Sequence, residues 1–194
     1  MIDAWSVVRH THRLGSCMLG VVSSLDAINV TSDNPGGFIH LQTKSEFPAL
    51  LPYHSLQDEA SMFGESVVPL IGDEIETVVS NFVDGRLYLS AKPQELKISR
   101  KQQWLRYYEY IDSVNFGDKV SGIVRQVEPF GLFVDIESEF IGVIDVVHSR
   151  LAGGQFPQDR SCWPPVGSRI ECRFEHPRLH NQQIGLGWSP KMVG

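Results

Sequence analysis

The sequence has few cysteines and no long apolar segment. It holds three cysteines in 194 residues, Cys17, Cys162 and Cys172, an odd and sparse set that indicates a reducing compartment rather than a disulfide-stabilised fold. No apolar run approaches the length of a membrane span, and the first residues lack the basic stretch and apolar core of a signal peptide. We therefore expect a cytoplasmic protein that has no membrane partner.

The residue patterns of common catalytic sites are also absent. The chain has no glycine-rich phosphate loop, no nucleophile elbow and no pair of carboxylates arranged for acid–base chemistry. Cys162, Cys172, His176 and His180 include ligand types that zinc prefers, but the cysteines are ten positions apart and Cys172 falls on the inward side of a predicted strand. We expect no enzyme activity, no metal, no cofactor and no small-molecule substrate.

The chain also lacks an excess of basic residues. The formal net charge is −6, whereas proteins that bind phosphate backbones without sequence preference are normally basic. Residues 1–98 contain six Lys or Arg against twelve Asp or Glu, and residues 117–194 contain eight against nine. On charge alone, the C-terminal half is the better candidate for contact with nucleic acid.

A strand-rich stretch that begins at Gly117 is the most informative part of the chain. Val120 and Val124 lie on one side of a long predicted strand, and the alternation slips near Gln126, which predicts a coiled strand or a bulge. Gly122 lies in the middle of this strand, where a missing side chain permits a bend or a close backbone approach. A break at Glu128-Pro129 precedes two shorter predicted strands, over 132–136 and 141–147. This arrangement is typical of a small closed barrel.

The order and spacing of thirteen positions in this stretch resemble the S1 RNA-binding domain, the OB-type barrel repeated in the large ribosomal protein of the small subunit. The matching positions are Gly117, Val120, Gly122, Val124, Val127, Phe130, Gly131, Phe133, Val134, Ile136, Gly142, Val143 and Ile144. The resemblance implies a five-stranded OB barrel that binds single-stranded RNA on one face.

The chain repeats this pattern. Gly20-Val21-Val22 corresponds to Gly122-Ile123-Val124, and further matches follow in the same order up to Arg86-Leu87-Tyr88 and Gln183-Ile184-Gly185. An order-preserving repeat of this length indicates tandem domains. We predict an all-β fold of two tandem five-stranded OB barrels joined by a short helix. The predicted parts are an N-terminal arm (1–13), a degenerate first barrel (14–98), a linker helix (99–115) and a second barrel (116–194).

The first copy departs from the pattern in two ways. Around Asp26 it carries about eight extra residues between its first and second strands. The aromatic positions of the second copy fall on Gly36 and Ile39, so the first copy is expected to lack an aromatic stack, although it keeps Arg86 near the start of its last strand.

The predicted linker helix spans 99–113. Ser99 and Gln102 form a capping box, and its apolar stripe consists of aromatic residues and one isoleucine at helical spacing. The stripe is Trp104, Tyr107, Tyr108 and Ile111. We expect Trp104, Tyr107 and Ile111 to be buried against a barrel and to fix the orientation of the two barrels.

Phe130 and Phe133 are the first candidates for a binding site. The resemblance implies that both rings lie on the binding face and stack on bases, and such stacking tolerates every base. The alternative is that Phe133 alternates into the core and Phe130 caps the barrel, since burial is the usual fate of phenylalanine.

Charged residues complete the candidate RNA-binding set. Lys119, Arg125, Arg169 and Arg173 are candidates for phosphate contacts. The alternative is that they line solvated strand faces and pair with carboxylates such as Glu171 and Glu175.

Asp145 belongs to the same set and marks a departure from the family. It stands where the S1 pattern has a histidine, and Gln183 and Leu179 stand where the pattern has an arginine and an aspartate. A carboxylate at this position opposes phosphate.

Two functions follow from these residues. The first is a non-catalytic RNA-binding protein whose second barrel binds single-stranded RNA weakly. The second is a protein-binding adaptor, or an inhibitor or immunity-type module, that uses the OB face for a basic protein partner. Phe130 and Phe133 favour RNA, whereas the net charge, Asp145 and Gln183 favour protein.

Overall fold

The computed structural model describes residues 10–27, 36–56, 68–146 and 163–188. The chain divides into two compact units, Met1–Leu105 and Arg106–Gly194. The start of the predicted N-terminal arm, most of the inserted segment after Asp26, and Cys162 lie outside the described residues.

The first unit contains one closed barrel of five strands. Its strands are β1 (Cys17–Leu25), β2 (Phe38–Gln42), β3 (Ala49–Pro52), β4 (Glu74–Val83) and β5 (Arg86–Ser90). They are hydrogen-bonded in the order β1-β2-β3-β5-β4, with β3 and β5 parallel and the other sequential pairs antiparallel. Alternate residues such as Ile39, Leu51, Leu87 and Leu89 point inward and are fully buried.

The second unit repeats this topology. Its strands are β6 (Lys119–Glu128), β7 (Gly131–Asp135), β8 (Ile141–Asp145), β9 (Arg169–Arg178) and β10 (Gln183–Gly187). They close in the order β6-β7-β8-β10-β9, with β8 and β10 parallel. Ile170, Cys172 and Phe174 of β9 are buried, as the alternation predicts. The predicted fold of two tandem five-stranded OB barrels is confirmed.

The irregularity predicted in the first strand of each barrel is a β-bulge. The register between β6 and β7 shifts between Val124 and Gln126, and that between β1 and β2 shifts between Val22 and Ser24, the corresponding place. Gly122 lies where β7 crosses closely, since a side chain there would stand 2.6 Å from the carbonyl oxygen of Asp135. Both features of the predicted bent strand are confirmed.

The register of β2 corrects the alignment of the two copies. Val22 pairs with Leu41 in the first barrel, and Val124 pairs with Val134 in the second. Phe133 therefore corresponds to His40, and by the same register Phe130 corresponds to Gly37. The predicted equivalents, Gly36 and Ile39, are wrong by one residue. A shift of one residue exchanges the two faces of a strand, and Ile39 belongs inside because it is a core residue.

Two helices lie between the barrels in the chain, α1 (Pro93–Leu96) and α2 (Ile98–Ser113). Helix α1 was not predicted. It begins with a proline, at a position where a backbone N–H would have no partner within the helix, so its absence removes no hydrogen bond. Helix α2 begins one residue earlier than predicted, so Ser99 lies inside it and the predicted capping box is wrong. Within the described ranges, no helix has the length and apolar character needed to span a membrane.

The aromatic stripe of α2 packs as predicted at two of three positions. Tyr107 and Ile111 are buried in the second unit. Trp104 is half-buried in the first unit: the guanidinium of Arg100 lies 5.5 Å from its ring centre, and the backbone of Gly15 lies against its indole. Gly15 has a left-handed φ of 77° and leaves no room for a side chain beside this ring.

Candidate nucleic-acid interface

Phe130 and Phe133 form an aromatic pair on the outer side of the second barrel. Leu132 and Val134 of β7 point inward and are buried, so Phe133, between them, points outward. Phe130 lies in the turn before β7 and is 56% exposed. The ring centres are 6.1 Å apart and the ring planes meet at 86°. The structure thus places neither ring in the core.

The turn that carries Phe130 is fixed by its backbone. Val146 donates its N–H to the carbonyl oxygen of Phe130 at 3.0 Å, which ties the turn to the end of β8. Gly131 follows, and a side chain there would collide with the carbonyl oxygen of Ile144, so only glycine lets β7 begin this close to β8. The Phe-Gly sequence therefore holds the aromatic ring outward at a fixed place.

Asp145 is not an isolated carboxylate. It ends β8 opposite Gly131, and Arg178 donates from Nη1 to its Oδ1 at 3.1 Å. Both side chains are half-buried. The carboxylate that the sequence places next to the aromatic pair is therefore balanced by a guanidinium in the structure.

Arg178 is the site residue that the sequence analysis missed. Pro177 stands just before it, and proline is rare in the interior of a strand. In the structure β9 continues through Pro177 to Arg178, which lies opposite Gln183 of β10. One signal could have identified Arg178 as a partner of Asp145. The two residues carry opposite charges, and they end two strands, β8 and β9, that both pair with β10.

His176 adds a ring to the same side of the barrel. It lies opposite Gly185 in the register, and a side chain on Gly185 would stand 2.7 Å from the His176 ring. Gly185 in turn lies beside Val143 of β8, the residue opposite Phe133. This outer surface of β7, β8 and β10, with Phe130 and the Asp145–Arg178 pair, is called here the aromatic face.

Three of the four predicted phosphate-binding cations lie elsewhere, on β6 and β9. Lys119 lies opposite Arg173 at the start of β6, the end away from Phe130, and Arg169 lies opposite Ile123 in the middle of the strand. Lys119 lies 3.8 Å from Glu171, the carboxylate that the alternative interpretation named, and Arg169 lies 2.8 Å from a carboxylate oxygen of Glu137. Arg173 donates to the carbonyl oxygen of Gly117.

Arg125 lies at the bulge, between these cations and the aromatic face. It donates from Nε to Asp135 at 3.1 Å, and this bond lowers the pKa of the Asp135 carboxyl, with a smaller contribution from the Glu137 N–H. The structure therefore brings together Phe130, Phe133 and Asp145, keeps Lys119, Arg169 and Arg173 apart from them, and gives Arg125 a carboxylate partner.

The second half of α2 supports the start of β10. The Tyr107 hydroxyl donates to the carbonyl oxygen of Gln183 at 2.7 Å, and its ring meets Phe140 edge to face at 5.0 Å. Burial raises the pKa of Tyr107, so the phenol stays a donor. Gln183, at the family's arginine position, is thus held by its backbone.

The possible zinc ligands of the sequence were Cys162, Cys172, His176 and His180. The geometry of the residues that the structure describes does not support a zinc site there. No group of three or more His, Cys, Asp or Glu among the described residues is arranged to hold a metal ion. Cys172 lies in the barrel core, where burial raises the pKa of its thiol to about 12.

Comparison with known proteins gives a partial match to a ribosomal protein. No protein-family model matches the chain. The chain is 25% identical over 185 residues to small ribosomal subunit protein bS1 of Neisseria meningitidis, and the match covers 95% of this chain and 30% of that relative. The chain thus spans under a third of the relative's length.

Solved structures with similar folds cover one barrel or both. GSP13 of Bacillus subtilis is 17% identical, with a TM-score of 0.36, over 42% of this chain and 61% of that chain. A multidomain protein with nucleic acid binding domains from Streptococcus pneumoniae is 17% identical, with a TM-score of 0.29, over 93% of this chain and 53% of that chain.

Proposed function

Because the chain is a tandem pair of OB barrels of the S1 type, we propose that it is a non-catalytic RNA-binding protein whose second barrel holds single-stranded RNA. The observation that carries this proposal is the pair formed by Phe130 and Phe133, outside the core and at a fixed geometry. Bases that leave a helix expose flat apolar surfaces, and aromatic side chains bind them by stacking without regard to sequence.

Phosphate contacts in this proposal come from arginines that are already paired. Arg178 holds Asp145, which lies opposite Gly131, and Arg125 lies at the bulge and holds Asp135. Lys119, Arg169 and Arg173 extend the basic surface along β6 and β9. Since RNA must compete with these carboxylates in a chain of net charge −6, we expect weak binding that falls steeply as salt rises.

The test is fluorescence anisotropy of labelled oligo-uridine at low and moderate salt. Phe130→Ala and Phe133→Ala each remove one stacking ring and should weaken binding by about 1–3 kcal/mol. Phe116→Ala is the matched control, because Phe116 is also exposed but lies before the second barrel's first strand. Thermal melting of each variant checks folding. No binding at low salt, or an equal loss with Phe116→Ala, would contradict the proposal.

A protein-binding adaptor is the second candidate, and a surface of the first barrel favours it. On β1, Leu19 and Val21 point outward and are exposed, opposite Glu76 and Glu74 of β4. An apolar strip bordered by carboxylates suits a basic protein partner. Pull-down from lysate with and without nuclease separates the two functions, since a stoichiometric partner that survives nuclease treatment supports the adaptor.

A further inference from the structure

The first barrel carries an aromatic pair of its own, in a different place. The ring centres of Phe38 on β2 and Tyr88 on β5 are 6.0 Å apart, with an interplanar angle of 70°. Phe130 and Phe133 have nearly the same spacing, 6.1 Å, and both pairs are edge to face. The two strands are not neighbours, because β3 lies between them. The rings therefore meet above the strand that separates them.

Both rings lie on the outer side of the barrel. Ile39 follows Phe38 and is fully buried, and Leu87 and Leu89 flank Tyr88 and are fully buried. Alternation along each strand therefore points Phe38 and Tyr88 outward, where they are half-buried.

The registers show that this pair occupies positions that are glycines in the second barrel. Phe38 lies opposite Pro52 as Gly131 lies opposite Asp145, and Tyr88 lies beside Leu50 as Gly185 lies beside Val143. The rings have thus moved across the sheet relative to Phe130 and Phe133, whose own positions hold Gly37 and His40. Phe38 stays on the strand that corresponds to β7, whereas Tyr88 lies on β5, the counterpart of β10, so a residue-by-residue comparison along the sequence does not find this pair.

The polar surroundings differ from the second barrel in favour of an anion. Arg86 lies two residues before Tyr88 on the same face and is exposed. It forms no ion pair with another described residue, whereas Arg178, Arg125 and Arg169 each hold a carboxylate. Pro52 replaces Asp145, and the carboxylate described near this pair is that of Asp26, which lies 2.9 Å from Nε2 of His40.

His40 lies on the β2 side of the pair, opposite Leu50, the residue beside Tyr88. It follows Phe38 by two residues on the same face of β2, and its Nε2 lies 2.9 Å from Oδ1 of Asp26. Asp26 also accepts the N–H of Phe38 at 3.1 Å, which fixes the backbone beneath the ring. The local arrangement is two rings with a guanidinium that has no carboxylate partner among the described residues and an imidazole that lies against Asp26.

We propose that Phe38 and Tyr88 form a second stacking site for single-stranded RNA, with Arg86 as its phosphate contact. This inference rests on the proposed function and extends it to the barrel that the sequence marks as degenerate. Stacking on the rings supplies the apolar contact, and a single exposed cation supplies the charge. The acidic character of residues 1–98 opposes phosphate, so this site is expected to contribute chiefly at low salt.

The test uses the full chain in the Phe130→Ala/Phe133→Ala background, which removes the proposed stacking rings of the second barrel and keeps Phe38 and Tyr88. Residual binding of labelled oligo-uridine is measured by anisotropy at low salt. Tyr88→Leu and Phe38→Leu keep apolar volume but remove the ring, and each should weaken residual binding roughly five- to a hundredfold. Tyr88→Phe should recover most of that loss. Phe116→Leu is the matched control and should leave residual binding unchanged.

Arg86→Gln gives an independent measurement, because it changes an exposed side chain into the residue that the second barrel has at Gln183. It should reduce the salt dependence of residual binding by about one phosphate contact. This variant decides the question if the ring variants fail to fold by thermal melting.

The outcomes separate the inference from the proposed function. If Tyr88→Leu and Arg86→Gln leave residual binding unchanged, or if the background has none, the second site is overturned, and a loss with Phe130→Ala alone still supports the second barrel. If the ring variants of the first barrel weaken binding and those of the second do not, the inference stands and the proposed site is wrong. If the wild type does not bind, both are wrong.

Discussion

At the scale of single residues, the Asp145–Arg178 ion pair determines whether the Arg178 guanidinium is available to an anion at the aromatic face. Asp145 lies opposite Gly131, the residue that follows the exposed Phe130, and it accepts a hydrogen bond from the Arg178 guanidinium at 3.1 Å. An RNA phosphate must displace this carboxylate or share the guanidinium with it. Under the proposed function, we therefore expect the pair to lower the affinity for RNA while it keeps the arginine in position.

Removing the carboxylate should release the arginine. Asp145→Asn keeps the shape of the side chain, frees Arg178 and should tighten oligo-uridine binding, with a salt dependence steeper by about one phosphate contact. Anisotropy titrations at several salt concentrations measure both quantities. Glu109→Gln makes the same charge change at an exposed position of α2 and serves as the control. Equal tightening by both variants would show a general charge effect and contradict the local one.

The buried thiol of Cys172 gives a prediction about pH. Burial raises its pKa from 9.0 to about 12, because the interior of the barrel does not solvate a thiolate. The unfolded chain ionises this thiol near pH 9 and the folded chain does not. The stabilising contribution is therefore complete below pH 9 and is lost as the pH rises towards 12.

Alkylation at mildly alkaline pH, followed by peptide mapping, tests this directly. Cys17 is exposed and should react in the native protein, whereas Cys172 should react only after denaturant is added. Urea titrations should also show stability falling as the pH rises above 9. Labelling of both thiols at similar rates in the native protein would contradict the assigned burial.

At the scale of strands, close backbone crossings make particular glycines necessary. Gly122 lies where a side chain would meet Cγ1 of Val134 at 2.5 Å and the Asp135 carbonyl oxygen at 2.6 Å. A backbone carbonyl in a sheet cannot turn aside as a flexible side chain can, so the strands themselves must separate.

Gly122→Ala should therefore reduce the free energy of unfolding by about 1–3 kcal/mol, because it overpacks a strand crossing. Gly72→Ala is the comparison: Gly72 has open space around it and a left-handed φ of 97°, so its cost is only conformational. Urea unfolding followed by circular dichroism gives both values. A smaller loss for Gly122→Ala than for Gly72→Ala would show that the crossing relaxes.

Strand-level features also mark the limits of what the sequence predicts. The bulge near Gln126 and the inward position of Cys172 on β9 are predictable, because side-chain alternation has a period of two. The five-stranded OB barrel follows from the resemblance to the S1 domain. The predicted equivalents of Phe130 and Phe133 in the first barrel are wrong by one residue. The inserted segment after Asp26 makes the alignment of β2 with β7 ambiguous in the sequence, and only the pairing of β2 with β1 determines it.

The residues of the candidate site likewise include some that the sequence predicts and some that it does not. Phe130 and Phe133 are visible in the sequence, because the motif is local. Arg178 was missed because Pro177 is normally read as the end of a strand. The pair of Phe38 and Tyr88 lies fifty residues apart in the chain and becomes a pair only through the parallel pairing of β3 with β5.

At the scale of the whole molecule, α2 contributes to both compact units. Lys101 in its first half lies 2.8 Å from Glu76 of β4, and Arg106 in its second half donates from Nη2 to Glu139 at 3.0 Å. The division between the units falls between Leu105 and Arg106, within this helix.

Limited proteolysis tests whether the helix persists in solution. Trypsin sites at Arg100, Lys101 and Arg106 lie within α2, and cleavage there requires the helix to open, so they should be cut slowly. Lys97, in the connection between α1 and α2, is the internal reference. Ready cleavage between Ser99 and Asn115 would show a flexible linker instead.

The closed strand order has a consequence for the nascent chain. In each barrel the last strand to be synthesised, β5 or β10, is inserted between two strands made earlier. Until it leaves the ribosome, two strand edges stay open at once, and open edges are the places where chains associate wrongly. A chain truncated before Gln183 would keep the edges of β8 and β9 open permanently. Synthesis of the first barrel, by contrast, is complete at Ser90, before any strand of the second exists to compete with it.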